Sequence, residues 1–531
     1  MSVGLSQINR ALNLIPKRAE QRQSERLRET FLDSGVAVAL EAVDNQVLYG
    51  RRGTGKTHAL RYVESQIREH GDVAVYADLR TVGSPEGLFM GDQVQTTERA
   101  ARLLVDLLNI VHDEILSAAL DDDALSTDAR FVDHLDALLA SIATVRVEGS
   151  IELSREDESK SGEAGTAIFK GSLGASPLVS ASLGGSSISE ARTTTTEVRK
   201  GNARIALNFT DIARALRNLA DSIQARRIWI LLDEWSSIPS EVQPLLGEFL
   251  VRCVTPVSKF TVKIAAIEQQ TNFRSILDGR PVGIELGADF AANVNLDEFM
   301  VYEQDAERSI LFFRGLLFKH LTSGVDVEDR VQGLVRESDV VRLGFTEKRA
   351  FEELVRAAEG VPRDAINIAA KAALRAGVRQ ISIYDVRGAA QAWFQTDKEA
   401  ALQGNPDAPR LLNWIIDRVI RGKRARGFLV NQKSAMSPLL LALFDARVLH
   451  LVRRGYSAQD EPGERYDVWV IDYGAYVDLI HTKYEPEHLL APEEERDAGD
   501  VEVPAQDLRA IRRAVLDLED FENAQSSRNR E

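Results

Sequence analysis

The chain has 531 residues, 44% apolar and 27% charged, a globular balance that excludes a collagen-like or largely disordered protein, and at roughly 150 residues per domain it is long enough for three or four domains. With 65 basic and 81 acidic residues the net charge is −16, which argues against a surface that is basic throughout, though not against a local basic patch for nucleic acid. The one cysteine, Cys253, cannot make an internal disulfide or a Cys-based zinc site. With no apolar run near about 18 residues and no secretory pattern at the start, the expectation is a cytoplasmic protein without a membrane span.

Residues 1–40 are charged and helical in pattern, with Arg18, Glu20, Arg22, Glu25, Arg26 and Arg28 among few apolar positions. They read as a surface helix leading into a domain. From about residue 44 the pattern is strand (NQVLYG), glycine loop, helix and strand (DVAVYADLR). The helix carries Leu60, Val63 and Ile67 on one face and stops at Gly71. Such alternation predicts an α/β unit with a parallel sheet. Residues of about 112–205 break the rhythm with a helical stretch, an alternating stretch (RVEGSIELSRE) and a Gly/Ser/Thr-rich run, predicting an insertion that is part β-hairpin and part mobile surface loop.

The rhythm resumes with a helix (FTDIARALRNLADSIQA), a strand (RRIWILLDEW), a helix around PSEVQPLLGEFLVRCV, a strand (KFTVKIAAIE) and a further strand at VGIELG. Trp229 alternates within its strand and reads as core, as does Trp469. Residues 296–400 read as helical, and Gly404, Asn405, Pro406 and Pro409 mark a hinge, since all four disfavour helix. A smaller unit, 410–482, follows: a helix, a strand at GFLV, a helix from Ser437-Pro438, and two strands joined through QDEPGE. Residues 483–531 read as an acidic tail, with Glu493, Glu494, Glu495, Asp497 and Asp500, closing in an amphipathic helix that carries Leu508, Ile511, Val515 and Leu518. The core then spans 41–295.

The sharpest pattern is GRRGTGKT, Gly50 to Thr57, which fits G-x-x-x-x-G-K-[ST] between an apolar strand and a helical period. The glycines let successive N–H groups turn inward on phosphate oxygens, and the helix starting near Lys56 adds its positive end. Lys56 reaches the β- and γ-phosphates of ATP, and the Thr57 hydroxyl can ligate Mg²⁺. The expected contact set is Gly50, Arg51, Arg52, Gly53, Thr54, Gly55, Lys56, Thr57 and His58. The strand Ile228–Leu232 ends in Asp233-Glu234. Asp233 would hold Mg²⁺ directly or through water, and Glu234 would act as general base toward the attacking water. Two acids favour hydrolysis of ATP to ADP and phosphate over a binding-only switch. The eight histidines show no paired metal spacing, so no metal beyond nucleotide-bound Mg²⁺ is expected.

This order of elements resembles the AAA+ branch of P-loop ATPases, and more narrowly the ORC/Cdc6-type group and its STAND-like bacterial relatives. The resemblance is carried by GRRGTGKT, WILLDEW, KIAAIEQQTN, EGVPRDAINIA and the strand-rich C-terminal unit, over about residues 15–480. It implies an α/β P-loop NTPase core of ASCE type with a parallel sheet, a helical lid and a C-terminal winged-helix-like α+β domain. It implies a polar sensor of the γ-phosphate after the fourth strand: Gln269, with Gln270, Thr271 and Asn272 at the same strand end. It implies a catalytic lid arginine, matched by Arg363 in GVPRD, and an arginine acting on a neighbouring copy, Arg274 or Arg280, hence a homo-oligomer in the ATP state.

The segment 410–433 carries Arg410, Arg418, Arg421, Lys423, Arg424, Arg426 and Lys433 against the single acid Asp417, a cluster that could neutralise phosphates of double-stranded DNA. Two features speak for a protein-interaction or packing module instead: one helix between strand and wing where a helix-turn-helix needs two, and an acidic wing turn. The expectation is therefore an ORC/Cdc6-like ATPase coupling nucleotide state to assembly and to a DNA or protein partner. The alternative is a STAND-like ATP-driven signalling switch, with a bacterial defence role by family analogy, that binds protein.

Overall fold

The computed structural model describes residues 5–17, 24–83, 96–142, 144–148, 168–170, 202–205, 208–223, 226–298, 302, 305–323, 330–421, 426–435, 437–457, 464–481 and 514–528. Strands β1 (Gln46–Tyr49) and β2 (Val73–Asp78) precede a three-stranded antiparallel sheet of β3 (Thr144–Glu148), β4 (Ile168–Lys170) and β5 (Asn202–Ile205). Then come β6 (Ile228–Asp233), β7 (Phe260–Ala266), a hairpin of β8 (Arg274–Leu277) and β9 (Arg280–Gly283), and β10 (Ala291–Asn295). Five of these form one parallel sheet in the order β10–β1–β7–β6–β2. Its inner strands are runs of Val, Ile, Leu and Ala, buried along their length, as a parallel sheet covered on both faces requires.

Register brings the strand ends to one edge. Tyr49 lies opposite Ala266, Leu232 opposite Ile264, and Asp233 opposite Asp78. The loop after β1, the polar turn after β7 and the acids ending β6 therefore emerge side by side, the ordinary place for a ligand in an open α/β sheet. The helix Lys56–Glu69 covers one face through Leu60, Val63 and Ile67. The helices Thr96–Leu120, Ala129–Ile142, Phe209–Ser222 and Gln243–Phe249 cover the other. Trp229 is buried in the core.

Two elements differ from the sequence reading. The helix Thr96–Leu120 begins well before residue 112 and packs on β2, and the helix Ala129–Ile142 shares its core cluster. Most of the Gly/Ser/Thr-rich run lies outside the described residues. The last core strand is β10, not VGIELG. Val282 and Gly283 of that stretch belong to the β8–β9 hairpin instead, and β10, with the sequence AANVN, is too short and polar to announce itself.

The helices Ala306–Thr322, Glu337–Gly344, Lys348–Ala358, Pro362–Ala376 and Ile383–Trp393 form the lid. The N-terminal helix Gln7–Leu14 is part of this lid's packing rather than a surface helix. Ile8, Leu12 and Ile15 are buried against the lid, and the buried Asn9 amide donates to the carbonyls of Gly377 and Arg379. One polar side chain thus satisfies two carbonyls beyond the end of a lid helix.

The C-terminal unit has the helix Asp407–Ile415, β11 (Gly427–Asn431), the helix Pro438–Asp445, β12 (Leu449–Ser457), β13 (Arg465–Ile471), the helix Tyr473–His481, β14 (Val515–Leu516) and the helix Leu518–Arg528. Its sheet order is β12–β13–β11–β14. Trp469 on β13 is buried. Among the described residues one helix, Pro438–Asp445, stands between β11 and β12, and its Leu440, Leu443 and Phe444 are buried. Its other residues, Pro438, Leu439, Leu441, Ala442 and Asp445, are partly or fully exposed and include no base. The end of the expected acidic tail is instead part of this unit: Val515 pairs with Leu429, and Phe521 packs edge-on against Trp414. Leu508, Ile511 and the acidic residues 493–500 lie outside the described residues.

Candidate functional site

β1 ends at Tyr49, and the Gly50 N–H donates to Ala266 on β7. A Cβ on Gly50 would fall 2.5 Å from the Thr54 hydroxyl oxygen, so only glycine fits where the loop folds over itself. Gly55, at φ 104°, caps the helix Lys56–Glu69 with no side-chain bond to its first N–H groups. Those donors and the helix dipole are left for an anion. The Lys56 ammonium donates to the carbonyls of Gly50 at 2.7 Å and Arg51 at 3.2 Å, which fixes it across the mouth of the loop. Burial lowers its pKa, opposed by Glu234, Asp233 and Asp297. The phosphate loop is one wall of a cavity of about 400 Å³, reached by Arg52, Gly53, Gly55, Lys56, Thr57 and His58.

Asp233 is fully buried at the end of β6. One carboxylate oxygen accepts from the Glu234 N–H at 2.8 Å and the other from the Tyr76 hydroxyl at 2.7 Å. Burial and the adjoining Asp233 raise the Tyr76 pKa far above its ordinary value, keeping the phenol a donor. The Arg61 guanidinium lies 3.3 Å from the centre of the Tyr76 ring. Glu234 has φ 56°, a left-handed conformation rare for this residue and common where strain serves a site. The turn swings Glu234 into the cavity wall, beside Ser236 and Ser237.

The lid closes the far side. Pro362 and Arg363 open the helix Pro362–Ala376, and the Arg363 N–H donates to the Gly53 carbonyl at 3.2 Å. A Cβ on Gly53 would stand 2.8 Å from the Arg363 Cβ. Gly53 occupies a variable position of the loop motif, so this close approach is a feature of this chain.

Lys56, Thr57, Glu234 and Arg363 thus share one cavity. Gln270 reaches it and Gln269 does not. Gly50, Thr54 and Asp233 stand behind the wall as supports. Arg51 turns away from the cavity. It is buried against Asp297, the Phe444 ring, the Leu449 carbonyl and His450. Arg274 and Arg280 are exposed on the β8–β9 hairpin, Arg274 pairing with Glu285 at 3.1 Å.

Sequence reasoning missed the rest of the lining. Pro16, Lys17 and Leu27 come from the N-terminal segment, Arg80 from the turn after β2, and Leu316, His320 and Ile366 from the lid. No local motif marks these residues, because only the docking of the N-terminal helix on the lid brings them together. The lining carries Lys17, Arg52, Lys56, Arg80 and Arg363 against the single carboxylate Glu234. That balance suits a polyanion. Leu27, Leu316 and Ile366 add an apolar part to the lining that suits a flat base.

Among the described residues no cluster of three His, Cys, Asp or Glu could hold a metal by itself. Thr57 lines the cavity and Asp233 stands behind its wall; hydroxyl and carboxylate oxygens are the ligand types a hard cation takes.

A core sheet with β7 between the phosphate-loop strand and the acidic strand, followed by a helical lid that reaches back to the loop, decides the architecture. The fold is that of a P-loop NTPase. The Cdc6p structure from Pyrobaculum aerophilum aligns with this chain at 12% identity, covering 88% of this chain and 97% of that one with a TM-score of 0.30. The Walker-type ATPase of Pyrococcus abyssi aligns at 13% identity, 88% and 99% coverage and a TM-score of 0.36. The Aeropyrum pernix ORC1 protein in complex with DNA aligns at 13% identity, 88% and 95% coverage and a TM-score of 0.30. No family model matches the chain, and no curated protein matches it. Strand order and loop geometry, not these overlaps, define the fold.

In the described part of the basic segment the bases have partners within the chain. Arg426 is buried in an ion pair with Glu359, Arg410 pairs with Asp407 and Lys433 with Glu464, and Arg418 lies over Trp414. Lys423, Arg424 and the Arg421 side chain lie outside the description.

Proposed function

We propose that the chain binds ATP with Mg²⁺ and hydrolyses it to ADP and phosphate, as an ORC/Cdc6-like member of the AAA+ group. The observation that carries this reading is the shared cavity: phosphate donors at Lys56 and Thr57, a strained carboxylate at Glu234 and a lid arginine at Arg363. Lys56 and the N-terminal amides of its helix hold the β- and γ-phosphates, and Arg363 contacts them from the lid. Thr57 and Asp233 are the residues that would hold Mg²⁺, which offsets phosphate charge. Both Asp233 oxygens already accept hydrogen bonds, which favours contact through a water. Glu234 orients and deprotonates the attacking water. Glu234→Gln should bind ATP but turn it over about 10²–10⁴-fold more slowly. An unchanged rate would remove Glu234 from that role.

Hydrolysis would alter the grip of Arg363 and so the lid angle, coupling nucleotide state to self-assembly and partner binding. Arg274 or Arg280, exposed on the hairpin, would supply the arginine to a neighbouring copy. For the partner, buried Arg426 and the single, apolar helix before β12 favour the STAND-like alternative, a protein partner, over duplex DNA. Duplex binding at low salt that is lost when Arg418 and Lys433 become Ala would reverse that preference. Among the described residues no helix is long and apolar enough to cross a membrane, and a cytoplasmic location is part of the proposal.

A further inference from the structure

The polar turn after β7 is held from the C-terminal unit. The Gln270 side-chain amide donates to an Asp445 carboxylate oxygen at 2.9 Å, across 175 residues of chain. The backbone of Gln270 is pinned as well: its N–H donates to Ile267, and its carbonyl accepts from the buried Gln243 amide. Asp445 ends the helix Pro438–Asp445, and the phosphate loop grips that same corner. The Arg51 guanidinium stacks on Phe444 at 4.3 Å and donates to the Leu449 carbonyl, and Arg447 donates to the Arg52 carbonyl. The corner that holds Gln270 is therefore tied to the loop that would hold phosphate.

We propose that Asp445 is a positioning residue of the nucleotide site, fixing the Gln270 amide so that it reads the γ-phosphate. This rests on the ATP-binding reading above. A carboxylate only accepts, so the amide must turn its nitrogen toward Asp445. One N–H is used there, and the second N–H and the carbonyl keep a fixed direction. β7 lies between the loop strand and the acidic strand, and Gln270, in the turn that follows it, lines the same cavity as Lys56 and Glu234. An amide already oriented needs no reorganisation when charge develops there. Asp445 touches no nucleotide in this scheme and acts through Gln270.

The test is a double-mutant cycle in the full chain on Asp445→Ala and Gln270→Ala. The first readout is the affinity ratio between a thiophosphate analogue of ATP and ADP, which needs no turnover. The second is ATP hydrolysis resolved into kcat and KM. Each single change should lower the affinity ratio about tenfold and reduce kcat with little change in KM. The double variant should be no worse than Gln270→Ala alone. Asp445→Asn, whose carbonyl can accept the same N–H, should recover most of what Asp445→Ala loses. Gln270→Met removes the amide without touching the C-terminal unit, so it serves if Asp445→Ala does not fold. Additive losses, or a Gln270→Met protein with an unchanged ratio, would overturn the assignment while leaving the ATP reading intact. A wild-type protein that binds neither nucleotide would overturn both.

Discussion

Arg447 of the C-terminal unit and Asp364 of the lid are ion-paired at 3.3 Å with both side chains buried. Asp364 sits next to Arg363, and it also holds Lys398 at 2.9 Å and accepts from the Trp393 indole at 3.1 Å. Lid and C-terminal unit are thereby joined by charges that water does not screen, one residue from the arginine that faces the cavity. Arg447→Ala leaves Asp364 buried with one cation fewer. Removing a partner from a buried pair costs about 3–5 kcal/mol, and the surviving Lys398 contact places the loss at the low end. Urea unfolding followed by tryptophan fluorescence should show that drop. A midpoint equal to wild type would mean that the pair contributes nothing net.

Lys56 lines the cavity from the loop and Arg363 from the lid, so their loss should differ in kind. Lys56→Ala removes a charge fixed against the loop and should weaken ADP and ATP alike, by about tenfold or more. Arg363→Ala removes a lid contact, and its larger effect should fall on ATP. Calorimetric titration with each nucleotide reads both. Equal losses of ATP and ADP in the Arg363 variant would show that this arginine does not distinguish the terminal phosphate.

Gly53 and Gly71 both have positive φ, 92° and 85°, but only Gly53 faces a neighbour. A Cβ there meets Arg363, whereas none lies within 4 Å of Gly71. Alanine at either position takes on left-handed strain of about 1–2 kcal/mol. Alanine at Gly53 must also push the lid helix away from the loop. Gly53→Ala should therefore weaken ATP binding and Gly71→Ala should not, although thermal unfolding shows a similar strain in both. Equal ATP affinities would show that the lid tolerates the extra atom.

The parts legible in the sequence are those that chain geometry forces into fixed spacing. The phosphate loop needs Gly50, Gly55, Lys56 and Thr57 in their places, and a buried strand must precede Asp233. The parts that were not legible depend on partners far along the chain. The basic segment reads as a phosphate contact by charge alone, but Glu359, which neutralises Arg426, lies 67 residues upstream. Lys17 and His320 enter the cavity only because Ile8, Leu12 and Ile15 dock on the lid. Three buried residues, Ile8, Asn9 and Leu12, in a short polar helix make too weak a pattern to foretell that packing. Gln270 rather than Gln269 reaches the cavity because a 3₁₀ turn, Glu268–Gln270, follows β7. A one-residue offset of that kind is below what strand periodicity resolves.

His450 is buried between Arg51, Asp472 and Lys398, all of which bear on its charge. The Arg51 guanidinium can only donate, so Nδ1 of His450 is the acceptor at 3.2 Å and Nε2 carries the proton that it donates to Asp472 at 3.1 Å. Burial lowers the pKa from 6.5 to about 3, with the Asp472 hydrogen bond opposing it. Asp364 and Asp472 are held below the usual carboxylate range by Lys398 despite burial, so they titrate under the window of interest. Between pH 6.5 and about 3 the unfolded chain binds a proton at His450 that the folded chain does not. Stability from this group is thus complete above the unfolded pKa and is lost as pH falls, with a slope of at most about 1.4 kcal/mol per pH unit. Comparing wild type with His450→Gln by urea unfolding from pH 7 to pH 5 isolates it from the other histidines. The wild-type protein should lose about 2 kcal/mol more than the variant over that interval. Parallel curves would mean that the imidazole is protonated in the fold, and the contact from Arg51 would then need another acceptor.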